Sequence, residues 1–284
     1  MANLKEIRNR IGSVSSTMQI TSAMKMVSAA KLKKAQDAIT AMRPYSNKLT
    51  QMLVNLSSST DFENIYLKPR KAENLLVVCI TSNRGLCGAF NSNIIKKCFD
   101  LAYNHEGNTS FFCIGKKGAD ILSKNHNVID SNNEIFDELS FEKVSLIAEV
   151  LMKKFTDKEV DSIQIVYNKF KNAATQIVMQ EQYLPIENTV TENNQQESAD
   201  YIFEPSKIKI ISELIPKSLR TQLFKSIRDS YASEHGARMT AMHKATDNAT
   251  ELRDQLKLTY NKARQAAITN EILEIVGGAE ALNS

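Results

Sequence analysis

From Leu4 onward, apolar residues return at alternating steps of three and four: Leu4, Ile7, Ile11, Val14 and Met18, then Leu32, Ala35, Ile39 and Met42, then Leu49, Leu53 and Leu56. This spacing predicts a long helix that lays one stripe against a partner helix. Carried through the gap, the same register places Thr21, Lys25 and Ser28 on the seam, while Ile20, Ala23, Met24, Met26, Val27, Ala29 and Ala30 spread around much of the helix. A helix that is apolar on several faces must be enclosed by more than one neighbour. Pro44 inside the pattern predicts a kink or a local break, because its ring removes a backbone hydrogen bond.

The other end of the chain repeats the theme. Between Lys217 and Val276 there is no proline and one glycine, Gly236, and roughly sixty helical residues would reach about 90 Å. The repeat runs through Leu219, Leu223, Ile227 and Tyr231, then Met242, Ala245, Ala249, Leu252, Leu256, Ala263 and Ala266. Small seam residues in the later part permit close helix approach. The start is set either by Pro205-Ser206, with Ser206 as N-cap, or by Pro216 in a first turn.

Between the two helices the period changes. Short β-rich runs at Leu75–Thr81, Ser110–Ile114, Ser162–Tyr167 and Gln176–Tyr183 alternate with helical stretches around Asn91–Tyr103, Lys116–Lys124 and Phe141–Phe155. Such alternation argues for a mostly parallel sheet. The Asn-, Gln-, Glu- and Thr-rich stretch Glu187–Ala199 reads as an exposed loop. Neither terminal helix can bury its seam alone, and each is too long to cover a small sheet. They are therefore expected to pair antiparallel around an inserted α/β domain, giving an N-terminal shaft helix over 1–60, the α/β domain over 61–205 and a C-terminal shaft helix over 206–284.

Composition narrows the function. A hydrophobic content of 42% is enough for a core, and the longest uncharged apolar stretches fall far short of the roughly 18 to 20 residues of a membrane span. The N-terminus lacks the apolar core of a signal peptide, which favours a cytoplasmic protein. Cys79, Cys87, Cys98 and Cys113 match no zinc spacing and read as reduced, mostly buried thiols. The net charge of +4 hides an asymmetry: residues 1–50 carry nine Lys/Arg against Glu6 and Asp37. A basic helix points to an acidic protein surface, nucleic acid or an anionic membrane. No aromatic residue lies between Met1 and Arg43 to stack a base, and Lys31, Lys33 and Lys34 directly follow the apolar sleeve, so an enclosing protein partner is favoured over nucleic acid.

Catalytic chemistry is sparse. The stretch Ser82-Asn83-Arg84-Gly85-Leu86-Cys87-Gly88-Ala89-Phe90-Asn91 follows a strand and precedes a helix, where α/β folds often cradle phosphate, but it lacks GxGxxG. Gly115-Lys116-Lys117-Gly118 lacks P-loop spacing. His105, His126, His235 and His243 form no ligand pair and read as solvated or interfacial. No serine or cysteine sits in a recognised nucleophile motif. The readings carried forward are a mechanical or binding subunit, a nucleotide-dependent α/β enzyme with helical arms, and a coiled-coil nucleic-acid binder.

Three segments carry a resemblance: Ile20-Thr21-Ser22-Ala23-Met24-Lys25-Met26-Val27-Ser28-Ala29-Ala30-Lys31, the turn Arg84-Gly85-Leu86-Cys87-Gly88, and Tyr260-Asn261-Lys262-Ala263-Arg264-Gln265-Ala266-Ala267-Ile268-Thr269. With Glu234-His235-Gly236-Ala237-Arg238-Met239-Thr240-Ala241-Met242 and Ala245-Thr246-Asp247-Asn248-Ala249, they resemble, in order and over essentially the whole chain, the gamma subunit of F-type ATP synthase. The resemblance implies a non-catalytic, cofactor-free rotor. Its antiparallel coiled coil sits in a head of three alpha and three beta subunits, and its Rossmann-like foot meets the epsilon subunit and the membrane c-ring. It also implies that Arg264, Gln265 and Thr269 contact a beta-subunit catch loop, that Met24, Lys25 and Arg238 lie near a helix-pair contact that influences coupling, and that Tyr201 and Glu204 lie in the foot. Asn83, Ala89 and Lys25 depart from residues common at those positions in the family, so a salt bridge at Lys25 does not carry over. A peripheral protein on the cytoplasmic face of a bacterial inner membrane is the expected location.

Overall fold

A computed structural model describes residues 4–57, 65–68, 70–71, 73–186 and 206–283. The expected loop Glu187–Ala199, and Tyr201 and Glu204, lie outside the described residues. Two helices dominate: α1 (Leu4–Ser57) and α5 (Lys207–Asn283). Between them run β1 (Asn74–Ile80), α2 (Phe90–Asn104), β2 (Asn108–Ile114), α3 (Lys116–Leu122), β3 (Asn127–Asn132), α4 (Phe141–Thr156), β4 (Ser162–Phe170) and β5 (Gln176–Leu184). The chain divides into two compact units, one of residues 1–28 with 239–284 and the other of residues 29–238.

In the unit of residues 29–238 the sheet has the order β3-β2-β1-β4-β5. The first four strands are parallel and β5 closes one edge antiparallel to β4. Successive side chains of a strand point to opposite faces. Leu76, Val78 and Ile80 of β1 therefore join Ile163, Ile165 and Tyr167 of β4 under α4, while Leu75, Val77 and Cys79 face Phe90, Ile94 and Cys98 of α2. Burial on both faces is why β1 reads as an unbroken apolar run.

Three sequence expectations change here. Leu219, Leu223 and Ile227, read as helix-pair seam, pack with Ile211 and Ile215 into the core shared by α4 and the sheet. A stripe at steps of four can face a helix or a sheet, and here the sheet takes it. The strand β3 was not foreseen, because Asn127-Val128-Ile129-Asp130-Ser131-Asn132 is a largely exposed edge with two apolar residues. The helix α1 continues through Pro44 without a break, and Ser46 and Leu49 beyond it are buried, so packing outweighs the single lost hydrogen bond. The earlier of the two starts for α5 is the one adopted: the Lys209 amide donates to Ser206 Oγ at 3.4 Å, and Pro216 sits inside the helix.

The register read from the sequence holds in α1. Of its seam positions in residues 29–57, Leu32, Ala35, Ile39 and Leu49 are buried, and Tyr45 meets Lys217 of α5, whose ammonium lies 5.9 Å from the ring centroid. In the unit of residues 1–28 and 239–284, Met18, Thr21 and Lys25 meet Thr250, Thr246 and His243 respectively. Numbers rising along one helix fall along the other, so the pair is antiparallel.

Candidate functional site

The helix pair of residues 1–28 and 239–284 buries Ile7, Met242 and Ala249 together with the polar Thr21 and Ser28, and it leaves several large apolar side chains on its exterior. Thr21 and Ser28 are buried and Lys25 half-buried, as the heptad register requires, and the Thr21 and Thr246 hydroxyls lie 2.8 Å apart. Displaced from the seam, Ile20, Met26 and Val27 are 60%, 64% and 57% exposed. Farther along α5, beyond the stretch that meets Met18–Lys25, Ile268, Ile272, Leu273, Ile275 and Val276 are exposed as well. Several large apolar side chains exposed on one helix suit a protein contact. Met24 is half-buried beside this sleeve.

Lys25 reaches across the pair. Its Nζ stands 3.4 Å from Nδ1 of His243, and the same nitrogen faces Asp247 Oδ2 at 3.4 Å. A neutral ring accepts from the ammonium, and a protonated ring donates to the carboxylate. His243 and Asp247 are largely open to solvent and Lys25 partly so, and such contacts contribute little. Lys25→Ala is therefore expected to shift stability by no more than about 0.5 kcal/mol, read from the urea midpoint of the purified chain.

Arg264, Gln265 and Thr269 are all exposed on α5, and the Thr269 hydroxyl donates back to the Gln265 carbonyl at 2.9 Å. The guanidinium, the amide and one hydroxyl lone pair are left facing outward within about a turn and a half of helix.

Arg238 lies in the other unit, is 7% exposed, and points at the inserted domain. Its Nη1 donates to Glu234 Oε1 at 2.7 Å, its Nη2 to the Arg84 carbonyl at 2.9 Å, and both Nε and Nη2 reach the Gly85 carbonyl at 3.3 Å. The Arg84–Gly88 turn follows β1 and leads into α2, where the sequence placed it. It turns sharply, with Leu86 and Gly88 both left-handed at φ 62° and 59°. Beneath it, the Ser82 hydroxyl donates to the Arg84 carbonyl at 2.7 Å and Asn91 Oδ1 accepts from the Ser82 amide at 3.0 Å. Two carbonyls of this turn thus face a cation, the opposite polarity from the amides of a phosphate cradle. This clasp was not foreseen from the sequence. Its one legible trace is the i,i+4 spacing of Glu234 and Arg238.

Burial pushes the Glu234 carboxyl up, while the Arg238 guanidinium beside it pulls it back. The 2.7 Å contact with a group that stays charged makes this an ion pair at neutral pH. One position further, His235 is 5% exposed, stacks edge-on against Tyr231 with centroids 4.5 Å apart, and has neither ring nitrogen hydrogen-bonded. Burial first, then the Arg238 and Lys31 charges, push its pKa down to about 3. Asp229, also buried, is pushed up by burial against the pull of Arg43, Lys225 and Lys169. The four cysteines are free and buried. Among the described residues no cluster of three or more His, Cys, Asp or Glu could hold a metal ion, and no helix is long and apolar enough to cross a membrane.

Fold and contacts together define a protein of paired terminal helices with an inserted, mostly parallel α/β domain, and its exposed chemistry is that of a binding surface. The family model described as ATP synthase matches residues 3–282. The ATP synthase gamma chain of Flavobacterium johnsoniae is 67% identical over 286 residues, covering 100% of each chain. Among solved structures, a chain of the Tetrahymena thermophila mitochondrial ATP synthase central stalk and c-ring matches at 26% identity with a TM-score of 0.64, over 80% of this chain and 99% of that one. A chain of the Euglena gracilis mitochondrial ATP synthase OSCP/F1/c-ring assembly shares the fold with a TM-score of 0.74 at 24% identity, over 98% of this chain and 94% of that one. The chain belongs to the ATP synthase gamma-chain family.

Proposed function

We propose that this chain is the central-stalk rotor subunit of an F-type ATP synthase. It turns inside the alpha and beta head and couples proton flow through the membrane ring to ATP synthesis or hydrolysis there. The observation that carries this reading is the exposed apolar sleeve at Ile20, Met26 and Val27 on an antiparallel helix pair. A coiled coil that works alone hides its apolar residues in the seam. This one carries large apolar residues on its outer face as well, as an axle enclosed by a bearing requires. The subunit is non-catalytic, and it sits peripherally on the cytoplasmic face of a bacterial inner membrane. Its partners are the alpha and beta subunits, epsilon and the c-ring.

Residues 1–60 and 206–284 serve as the shaft and 61–205 as the foot, with Tyr201 and Glu204 meeting epsilon and the ring. Met24, Lys25 and Arg238 influence coupling. The outward polar group of Arg264, Gln265 and Thr269 supplies the grip on a beta-subunit loop that an apolar axle would lack. Replacing Arg264 and Gln265 together by alanine should lower coupled ATP turnover of the reconstituted complex at least several-fold while assembly is retained. Unchanged coupling at unchanged assembly would remove both residues from that role.

A further inference from the structure

A rotor must pass torque between its inserted domain and the helix that enters the head. Within the unit of residues 29–238, α5 meets the loops at the carboxyl edge of the sheet over Ser233–Arg238, where polar bonds flank the apolar contact made by Ala237. The Ser233 hydroxyl donates to the Asn168 carbonyl at 2.9 Å, and the Asn168 side-chain amide donates to the Phe90 carbonyl at 3.1 Å. The end of β4 and the start of α2 are thereby tied to one point on α5. Gly236 brings the helix backbone against the β4–β5 connection, where an added Cβ would stand 3.2 Å from Ala173 Cα and 3.4 Å from the Phe170 ring. Two residues further along, the buried Arg238 guanidinium takes two carbonyls of the β1–α2 turn while Glu234 holds it from behind.

The chemistry of this joint is directional. A planar guanidinium holds a carboxylate and two carbonyls in a fixed fork, a geometry that the rotatable donors of an ammonium do not preset. The turn it grips already has its own scaffold in Ser82 and Asn91, and Leu86 in a left-handed conformation at its exposed tip. Holding such a turn against a helix by apolar contact alone would allow it to slide. Charge-assisted bonds with fixed geometry do not.

We propose that Glu234 and Arg238 form the torque-bearing joint of the subunit, locking the Arg84–Gly88 turn of the α/β domain to the Ser233–Arg238 stretch of α5. Arg238 is in this sense a positioning residue, acting through the turn rather than on a nucleotide. The proposal rests on the rotor reading above.

The test uses the assembled ATP synthase in proteoliposomes, comparing the wild-type chain with Arg238→Gln, Arg238→Lys and the double variant Glu234→Gln with Arg238→Gln. The double variant leaves no buried charge unpaired, so it keeps the comparison available if Arg238→Gln alone fails to assemble. Two quantities are read: amide exchange over residues 84–88, and protons pumped per ATP hydrolysed. The double variant should assemble, exchange the turn amides at least tenfold faster and lower the pumped protons per ATP at least twofold with hydrolysis retained, and Arg238→Lys should fall between it and wild type. Faster exchange with an unchanged pumping ratio would reduce the clasp to a structural contact and overturn the proposal, as would unchanged exchange. If the wild-type chain itself supports no pumping, the rotor reading falls and the joint with it, an outcome separate from wild-type coupling that the variants leave untouched.

Discussion

Gly115→Ala is expected to destabilise the α/β domain by roughly 3 to 6 kcal/mol, combining left-handed backbone strain with forced displacement of a packed neighbour. Gly115 lies between β2 and α3 with φ 105°, and a Cβ there would overlap the Thr81 carbonyl at the end of β1. Neither partner is free to yield. The Thr81 amide donates to the Ile114 carbonyl at 2.8 Å, the Thr81 hydroxyl accepts from the Gly118 amide at 2.8 Å, and the Gly115 amide donates to the Asn132 carbonyl at 3.0 Å. The loss is large against a total stability of about 5 to 15 kcal/mol. Gly88→Ala is the matched control: φ is 59°, but nothing lies within 4 Å of the added methyl, so its cost should stay near about 1 kcal/mol. Urea midpoints of the two purified variants separate these contributions. Equal losses would show that the left-handed backbone, and not the contact with Thr81, accounts for the effect at Gly115.

Acidification is expected to weaken the fold through His235 before it acts on the carboxylates. A histidine buried in neutral form has its folded pKa, about 3, below its ordinary value of about 6.5. Between these values the unfolded chain binds a proton that the folded chain refuses. Stability is then full above about pH 6.5 and falls as the pH drops toward 3, at up to about 1.4 kcal/mol per pH unit. Asp229 and Glu234 act in the opposite sense. Burial raises both in the folded state, so their contribution is present at low pH and is lost as the pH rises through their raised values. Of these three groups, His235 is the one through which acid weakens the fold. His235→Phe keeps a ring against Tyr231 and removes the titration, so stability measured by urea unfolding should become nearly flat between pH 6.5 and 5. A variant that retains the wild-type slope would assign the acid sensitivity elsewhere.

The two long helices and the middle strands were legible because each rests on a local repeat. The heptad register placed Thr21 and Ser28 on the seam although neither is apolar, and both are buried. The strand β1 was legible as an apolar run because helices cover both of its faces. By contrast, β3 was hidden by its position at an exposed edge, where polar residues carry no period. The stripe Leu219, Leu223 and Ile227 was legible as buried, but its partner was not, since a step of four suits a neighbouring helix and a sheet alike.

The candidate site divides along the same line. Sequence by itself determined that the chain has long terminal helices, an α/β insertion, an apolar sleeve around Met24 and a polar group at Arg264–Thr269, because periodicity and motif order are properties of neighbouring residues. Tertiary structure alone decided that Lys25 meets His243 and that Arg238 closes on Arg84 and Gly85. It also decided that His235 is shut away from water without a hydrogen-bond partner. Those facts depend on which distant backbone the fold carries to a side chain, and a carbonyl about 150 positions away leaves no mark on the residue it will accept from.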